Sequence, residues 1–266
     1  MKSSATKKQI MLWVVCAWVI TWLMALPTLA VLKLLGNGIV FLLVYASASW
    51  SPTFALLLLF KKLYPGISVK TFYKNAFKER LNLKLILCVT VIQALIFIAS
   101  IGIVSFTREG PLLNLSAASI GMCFFTAITQ GALGEESGWR GFLLPTLEKK
   151  HGLIKSALIV GVIWWFWHMP IMVFDSGHEG LAWVHYAAIF LVFCIAMSVV
   201  IAVCYRRCRN LFLPIWIHFV FNVTIPTFVD FNNGEGELML LTLITAFYLL
   251  AAVGYTVWHK KYTLVA

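Results

Sequence analysis

The sequence predicts an all-α polytopic membrane protein, with about eight transmembrane helices enclosing an intramembrane catalytic cavity. Hydrophobic residues make up 61% of the 266 residues and charged residues 12%, roughly half the charged fraction of a soluble domain. Apolar runs close to the ~20 residues needed to cross a bilayer recur at residues 10–35, 38–60, 85–105, 114–136, 153–173, 181–204, 211–229 and 238–258. When these eight runs are threaded in turn, eighteen of the twenty-one Lys and Arg fall on one side. Helices satisfy each span's backbone within the span, which lipid demands.

The first run follows Lys2, Lys7 and Lys8, as a signal peptide's apolar region does. It is too long for one, and no small-x-small cleavage site follows, so it reads as a retained anchor. Between the second and third runs, residues 61–84 form the longest hydrophilic stretch. Lys70, Lys74, Lys78 and Arg80 alternate there with Phe72, Phe77 and Leu81. That spacing suits an amphipathic helix lying on the inner leaflet, or a solvated basic loop. The remaining basic groups collect at Lys149–Lys155, Arg206–Arg209 and Lys260–Lys261. Glu109, Asp175, Glu179, Asp230, Glu235 and Glu237 occupy the opposite side, where Asn232-Asn233-Gly234 signals a turn. This positive-inside bias predicts a multi-pass protein of the cell membrane with both termini in the cytoplasm. It also directs the net charge of +11 at anionic lipid headgroups and not at nucleic acid. No linker or repeat divides the chain, so residues 1–266 form one transmembrane domain, with a motif-bearing core at 125–225. Cys16, Cys88, Cys123, Cys194, Cys204 and Cys208 are scattered and read as small hydrophobes; disulfides are not indicated.

Two adjacent carboxylates, Glu135 and Glu136, fall inside the fourth run, while the other eight acids lie in segments read as loops. An ionisable group in lipid costs roughly 2.5–3.5 kcal/mol on insertion scales and therefore marks a site. Glu136 and Arg140, at i and i+4, share a helix face and suit an ion pair. Glu135 points about 100° away and is left free for chemistry. Gly152, after the basic turn Lys149-Lys150-His151, reads as a helix stop. A hairpin reversing there brings Glu135 and His168 to similar depth, on the order of 24 Å from the turn. His218 and Asn222 are again at i and i+4, and both can donate in one direction, as an oxyanion-stabilising pair does. Trp164 and Trp167 shape a substrate slot or serve helix packing and interfacial anchoring.

A glutamate and a histidine converging on one water form a general-base arrangement, because a carboxylate withdrawn from water can take and return a proton near neutrality. The reaction class is amide hydrolysis within or at the edge of the bilayer. No Ser-His nucleophile system is present, Ser137 reading as a small packing residue, and no His-Glu-x-x-His zinc motif occurs.

These residues resemble the CAAX-protease and bacteriocin-processing (CPBP, or Abi) family of intramembrane proteases, which includes the CAAX prenyl endopeptidases. The family pattern Glu-Glu-x-x-x-Arg, Phe-x-x-x-His and His-x-x-x-Asn/Asp reads here as Glu135-Glu136-x-x-x-Arg140, Trp164-x-x-x-His168 and His218-x-x-x-Asn222. Trp164 stands where the pattern has Phe. The resemblance implies an eight-helix endopeptidase acting on a membrane-associated or lipidated peptide. It implies Glu135 and His168 as the water-activating pair, His218 and Asn222 as oxyanion stabilisers, and Glu136 with Arg140 as structural support. Members have been called metalloproteases, and Glu135, His168 and His218 could supply three zinc ligands; no carboxylate is evident in the spans to orient either imidazole, and a metal-free mechanism is favoured. The competing readings are a non-proteolytic bacteriocin-immunity or membrane interaction protein, and a proton-coupled transporter.

Overall fold

The computed structural model describes residues 5–36, 39–107, 121, 124–125, 127–228 and 234–263. Among them every regular element is helical, and the protein is a polytopic α-helical membrane protein. The start of the fourth run, Cys123, Arg108, Glu109, Asp230, the Asn232-Asn233 turn and Lys2 lie outside the described residues.

Among the described residues four helices are long and apolar enough to cross a bilayer unaided: α1 (Lys7–Leu35), α6 (Leu83–Thr107), α11 (Gly180–Cys208) and α13 (Gly234–Thr263). Other predicted spans are assembled from shorter pieces. The second run is α2 (Ile39–Ser49), α3 (Ser51–Leu58) and α4 (Phe60–Leu63); Pro52, in the first turn of α3, marks the break at Trp50. The fifth run is α9 (Leu153–Trp167) and α10 (Met169–Asp175), divided at His168 with Pro170 in the first turn of α10. In the fourth run, α7 (Leu133–Gly138) lies between two π-helical turns, Ile128–Ala132 and Trp139–Leu143, before α8 (Leu144–His151). The seventh is α12 (Phe212–Phe228). Interrupted helices survive at membrane depth only where protein surrounds the irregular backbone, and the interruptions at Trp50 and His168 and in the π turns all adjoin the polar constellation.

Helix α11 forms the spine and packs most extensively on α9 and α13. Gly161 makes the first of these contacts possible, because a Cβ there would stand 2.6 Å from the Ile195 Cα; small residues let membrane helices approach to backbone contact. The predicted reversal between α8 and α9 occurs at Gly152, whose φ of +70° favours glycine.

The basic stretch 61–84 does contain an amphipathic helix, α5 (Val69–Ala76), capped by the Ser68 hydroxyl accepting from the Thr71 N–H at 3.1 Å. Phe72, on its apolar side, is turned into the protein. It is buried against Phe60 and Tyr64, and its ring lies beside Gly141. An inward-facing bundle surface competes successfully with lipid for that one aromatic ring.

Candidate active site

Both carboxylates stand on α7, and the π turns on either side decide what they face. A π turn takes an additional residue per turn and shifts the phase of everything beyond it. Trp50, at the break between α2 and α3, donates its indole N–H to the Thr129 carbonyl in the first π turn at 2.7 Å. The second π turn presents Trp139 and Arg140 back towards α7.

Glu136 sits in a charged environment. Its Oε1 accepts from Arg140 Nη1 at 2.7 Å and pairs with His218 Nδ1 at 2.8 Å. Glu136 and Arg140 are completely buried, and the guanidinium lies 4.7 Å from the centre of the Trp164 ring, a cation–π contact. Glu136 Oε2 is sealed and makes no hydrogen bond. The predicted ion pair is therefore present, with a third member the spacing did not disclose. The expectation that no carboxylate orients an imidazole is corrected: Glu136 orients His218, the carboxylate–histidine arrangement that fixes a ring and its tautomer.

Glu135 sits among neutral donors. Its Oε2 accepts from the indoles of Trp139 at 3.1 Å and Trp164 at 2.6 Å. Its Oε1 makes none of the described hydrogen bonds and is not among the sealed atoms, although the residue is only 3% exposed. Cys194 of α11 lies in electrostatic range of Glu135 and Arg140.

Across the hairpin Glu135 meets Trp164, which lies one helical turn before His168 on α9. His168, the residue between α9 and α10, directs Nδ1 to the Trp164 carbonyl at 2.9 Å and is flanked edge-on by Trp167 and Phe190. Trp164 thus contacts four site residues: it donates to Glu135, supports Arg140, binds His168 through its carbonyl and packs edge-on against His218 at 5.2 Å. Trp167 donates to the Ser51 hydroxyl at 2.7 Å. Both indoles are buried, so their contacts are those of wall supports.

His218 Nε2 and Asn222 Nδ2 lie side by side over Gly131. A Cβ on Gly131 would collide with the Asn222 amide and stand 3.1 Å from His218 Nε2. Glycine leaves room there for the Asn222 amide and the His218 ring. Sequence reasoning missed Gly131, Trp139 and Asn210, the last described below. Only Trp139 carried a local signal, its i,i+4 spacing from Glu135.

The resemblance implies a zinc set of Glu135, His168 and His218. Among the described residues no three His, Cys, Asp or Glu side chains converge as ligands, although Glu135 Oε1, His168 Nε2 and His218 Nε2 make none of the described hydrogen bonds.

Residues 116–224 match a protein-family model described as type II CAAX prenyl endopeptidase Rce1-like. A protein named CAAX prenyl protease 2, from Methanococcus maripaludis, is 26% identical over 93 residues, which is 34% of this chain and 34% of that relative. The matched part thus spans about a third of that curated relative.

Proposed function

From the match of residues 116–224 to the Rce1-like model of type II CAAX prenyl endopeptidases, we propose that the chain is an intramembrane endopeptidase cleaving a membrane-associated, lipidated peptide. Glu135 is the base. Its free Oε1 removes a proton from a water, assisted by the free Nε2 of His168, and the hydroxide attacks the scissile carbonyl carbon. The oxyanion that forms is met by Asn222 Nδ2–H and by His218. His218 is oriented by its Nδ1 contact with Glu136 Oε1 at 2.8 Å, which leaves Nε2 to face the oxyanion. When the tetrahedral intermediate collapses, the C–N bond breaks and Glu135 returns the proton to the leaving amine. Glu136 and Arg140 hold His218 in place and touch no reacting atom. Both termini and the basic loops face the cytoplasm, and the reaction needs no metal.

The observation that carries this reading is the unequal state of the two carboxylates: Glu135 keeps one oxygen open and unbonded, whereas Glu136 has one oxygen engaged twice and the other sealed. The test is cleavage of a farnesylated reporter peptide by the purified chain in proteoliposomes, with and without a zinc chelator. Cleavage that survives chelation is expected. Loss of cleavage on chelation overturns the metal-free mechanism. Failure to cleave either the farnesylated or the unmodified peptide overturns the protease reading and favours the interaction protein.

A further inference from the structure

The segment between the second run and α6 has two faces with different partners. Outward, it presents five cations, Lys70, Lys74, Lys78, Arg80 and Lys84, and one acid, Glu79, interleaved with exposed Val69, Phe77, Leu81 and Leu83. The segment runs directly into α6, a membrane span whose first turn is capped by Asn82 Oδ1 accepting from the Leu85 N–H at 3.1 Å. Phe77–Leu83 therefore lies at headgroup depth. Cations interleaved with exposed apolar side chains at that depth fit an anionic leaflet surface, the apolar groups entering the acyl boundary and the cations meeting phosphates.

Inward, the same segment is fastened to both helices that build the site. Tyr73 donates to the Ser137 hydroxyl at 3.2 Å, one residue beyond Glu136. Asn210 Nδ2 donates to the carbonyls of Phe77 at 3.1 Å and Glu79 at 2.6 Å, and the Leu211 N–H donates to the Ala76 carbonyl at 2.8 Å. Asn210 is buried, and its Oδ1 also caps the start of α12 by accepting from the Phe212 N–H at 2.9 Å. One strap thus bridges α7, which carries Glu135 and Glu136, and the start of α12, which carries His218 and Asn222. Beneath it lies a cavity of about 250 Å³ whose lining includes Phe72, Asn75, Glu79, Gly141, Glu148 and Arg206. Glu135, His168 and His218 do not line it. Phe72 packs on Phe60 and Tyr64, while Phe77–Arg80 is joined to the start of α12 by hydrogen bonds beside this cavity, so a load on its outer face has room to act.

We propose that residues 69–84 are a binding surface for anionic phospholipid headgroups, and that its occupation holds α7 and α12 in the register needed for the His218–Glu136 contact. The binding half stands independently of any activity; the regulatory half rests on the endopeptidase reading.

The test uses the full chain purified in a neutral detergent and titrated with dioctanoyl phosphatidylglycerol or dioctanoyl phosphatidylcholine. Phosphatidylglycerol is expected to slow amide exchange at residues 210–218 severalfold, and phosphatidylcholine to have no effect. The triple variant Lys74→Gln/Lys78→Gln/Arg80→Gln is expected to bind phosphatidylglycerol at least tenfold more weakly, since each cation near an anionic surface contributes on the order of fivefold. Asn210→Ala is expected to retain the bound lipid by native mass spectrometry while losing the protection. Equal protection by both lipids, equal protection by glycerol phosphate at the same concentration, or an undiminished response in the triple variant overturns the surface. In proteoliposomes, cleavage that is indifferent to phosphatidylglycerol overturns the regulatory half. Protection by phosphatidylglycerol without any cleavage supports the binding surface and counts against the endopeptidase reading alone.

Discussion

Around Glu135 the protein supplies two neutral indole donors, at 3.1 and 2.6 Å, and leaves one carboxylate oxygen open; around Glu136, one residue on, it supplies Arg140 at 2.7 Å and His218 at 2.8 Å and seals the remaining oxygen. Neutral donors fix a carboxylate's orientation without a contact ion pair and leave one oxygen available to a water. Ion pairing spends that charge on structure. In the proposed mechanism the same residue type, on one short helix, is divided between reactivity and support by what α9 and α12 bring to each face.

The comparison can be broken most forcefully at Glu136. Glu136→Gln leaves the Arg140 guanidinium buried without its partner, and removal of one member of a buried pair costs about 3–5 kcal/mol. A large drop in melting temperature in detergent is expected, together with loss of cleavage. Adding Arg140→Leu to that variant should recover most of the stability and none of the activity; a double variant as unstable as the single one would show that the pair is not what Glu136 contributes. Next in size is Trp164→Phe, which installs the residue of the family pattern. It keeps an aromatic face for Arg140 and deletes the donor to Glu135. Hydrogen bonds to charged groups contribute about 1.5–3 kcal/mol, so kcat should fall by about tenfold or more, with KM and melting little changed. Unchanged kcat would make the indole a packing group only.

Gly131→Ala sharpens the comparison from the α12 side. Its methyl group would displace the Asn222 amide and crowd His218 Nε2, an overpacking cost of about 1–3 kcal/mol. Cleavage should fall while detergent-state helicity by circular dichroism is retained. The smallest effect is expected for Ser137→Ala, which removes only the hydroxyl accepting from Tyr73. A loss of about 0.5–1.5 kcal/mol in stability with cleavage preserved is the expected result; abolished cleavage would assign Ser137 a role that the general-base account denies it.

What could be read in advance was whatever depends on local spacing or run length. Glu136 and Arg140 pair because i,i+4 on a helix is a local relation, Gly152 reverses the chain because it follows a basic last turn, and the apolar runs become membrane helices because lipid rewards length and hydropathy. The π turns carry no comparable signature. They flank α7, whose Glu135 meets Trp164 across the hairpin. His218 was read as half of an oxyanion pair, and its link to Glu136 depends on where α12 crosses α7, which no spacing within either helix encodes. The same holds for Asn210, whose partners are carbonyls some 130 residues earlier in the chain.

The central claim, that the two adjacent carboxylates have separate tasks, is tested most directly by measuring peptide cleavage and thermal melting side by side for Glu135→Gln and Glu136→Gln in proteoliposomes. The account predicts that Glu135→Gln abolishes cleavage while melting within a few degrees of the wild type, and that Glu136→Gln melts far lower. Full cleavage by Glu135→Gln, or equal destabilisation of the two variants, would contradict it.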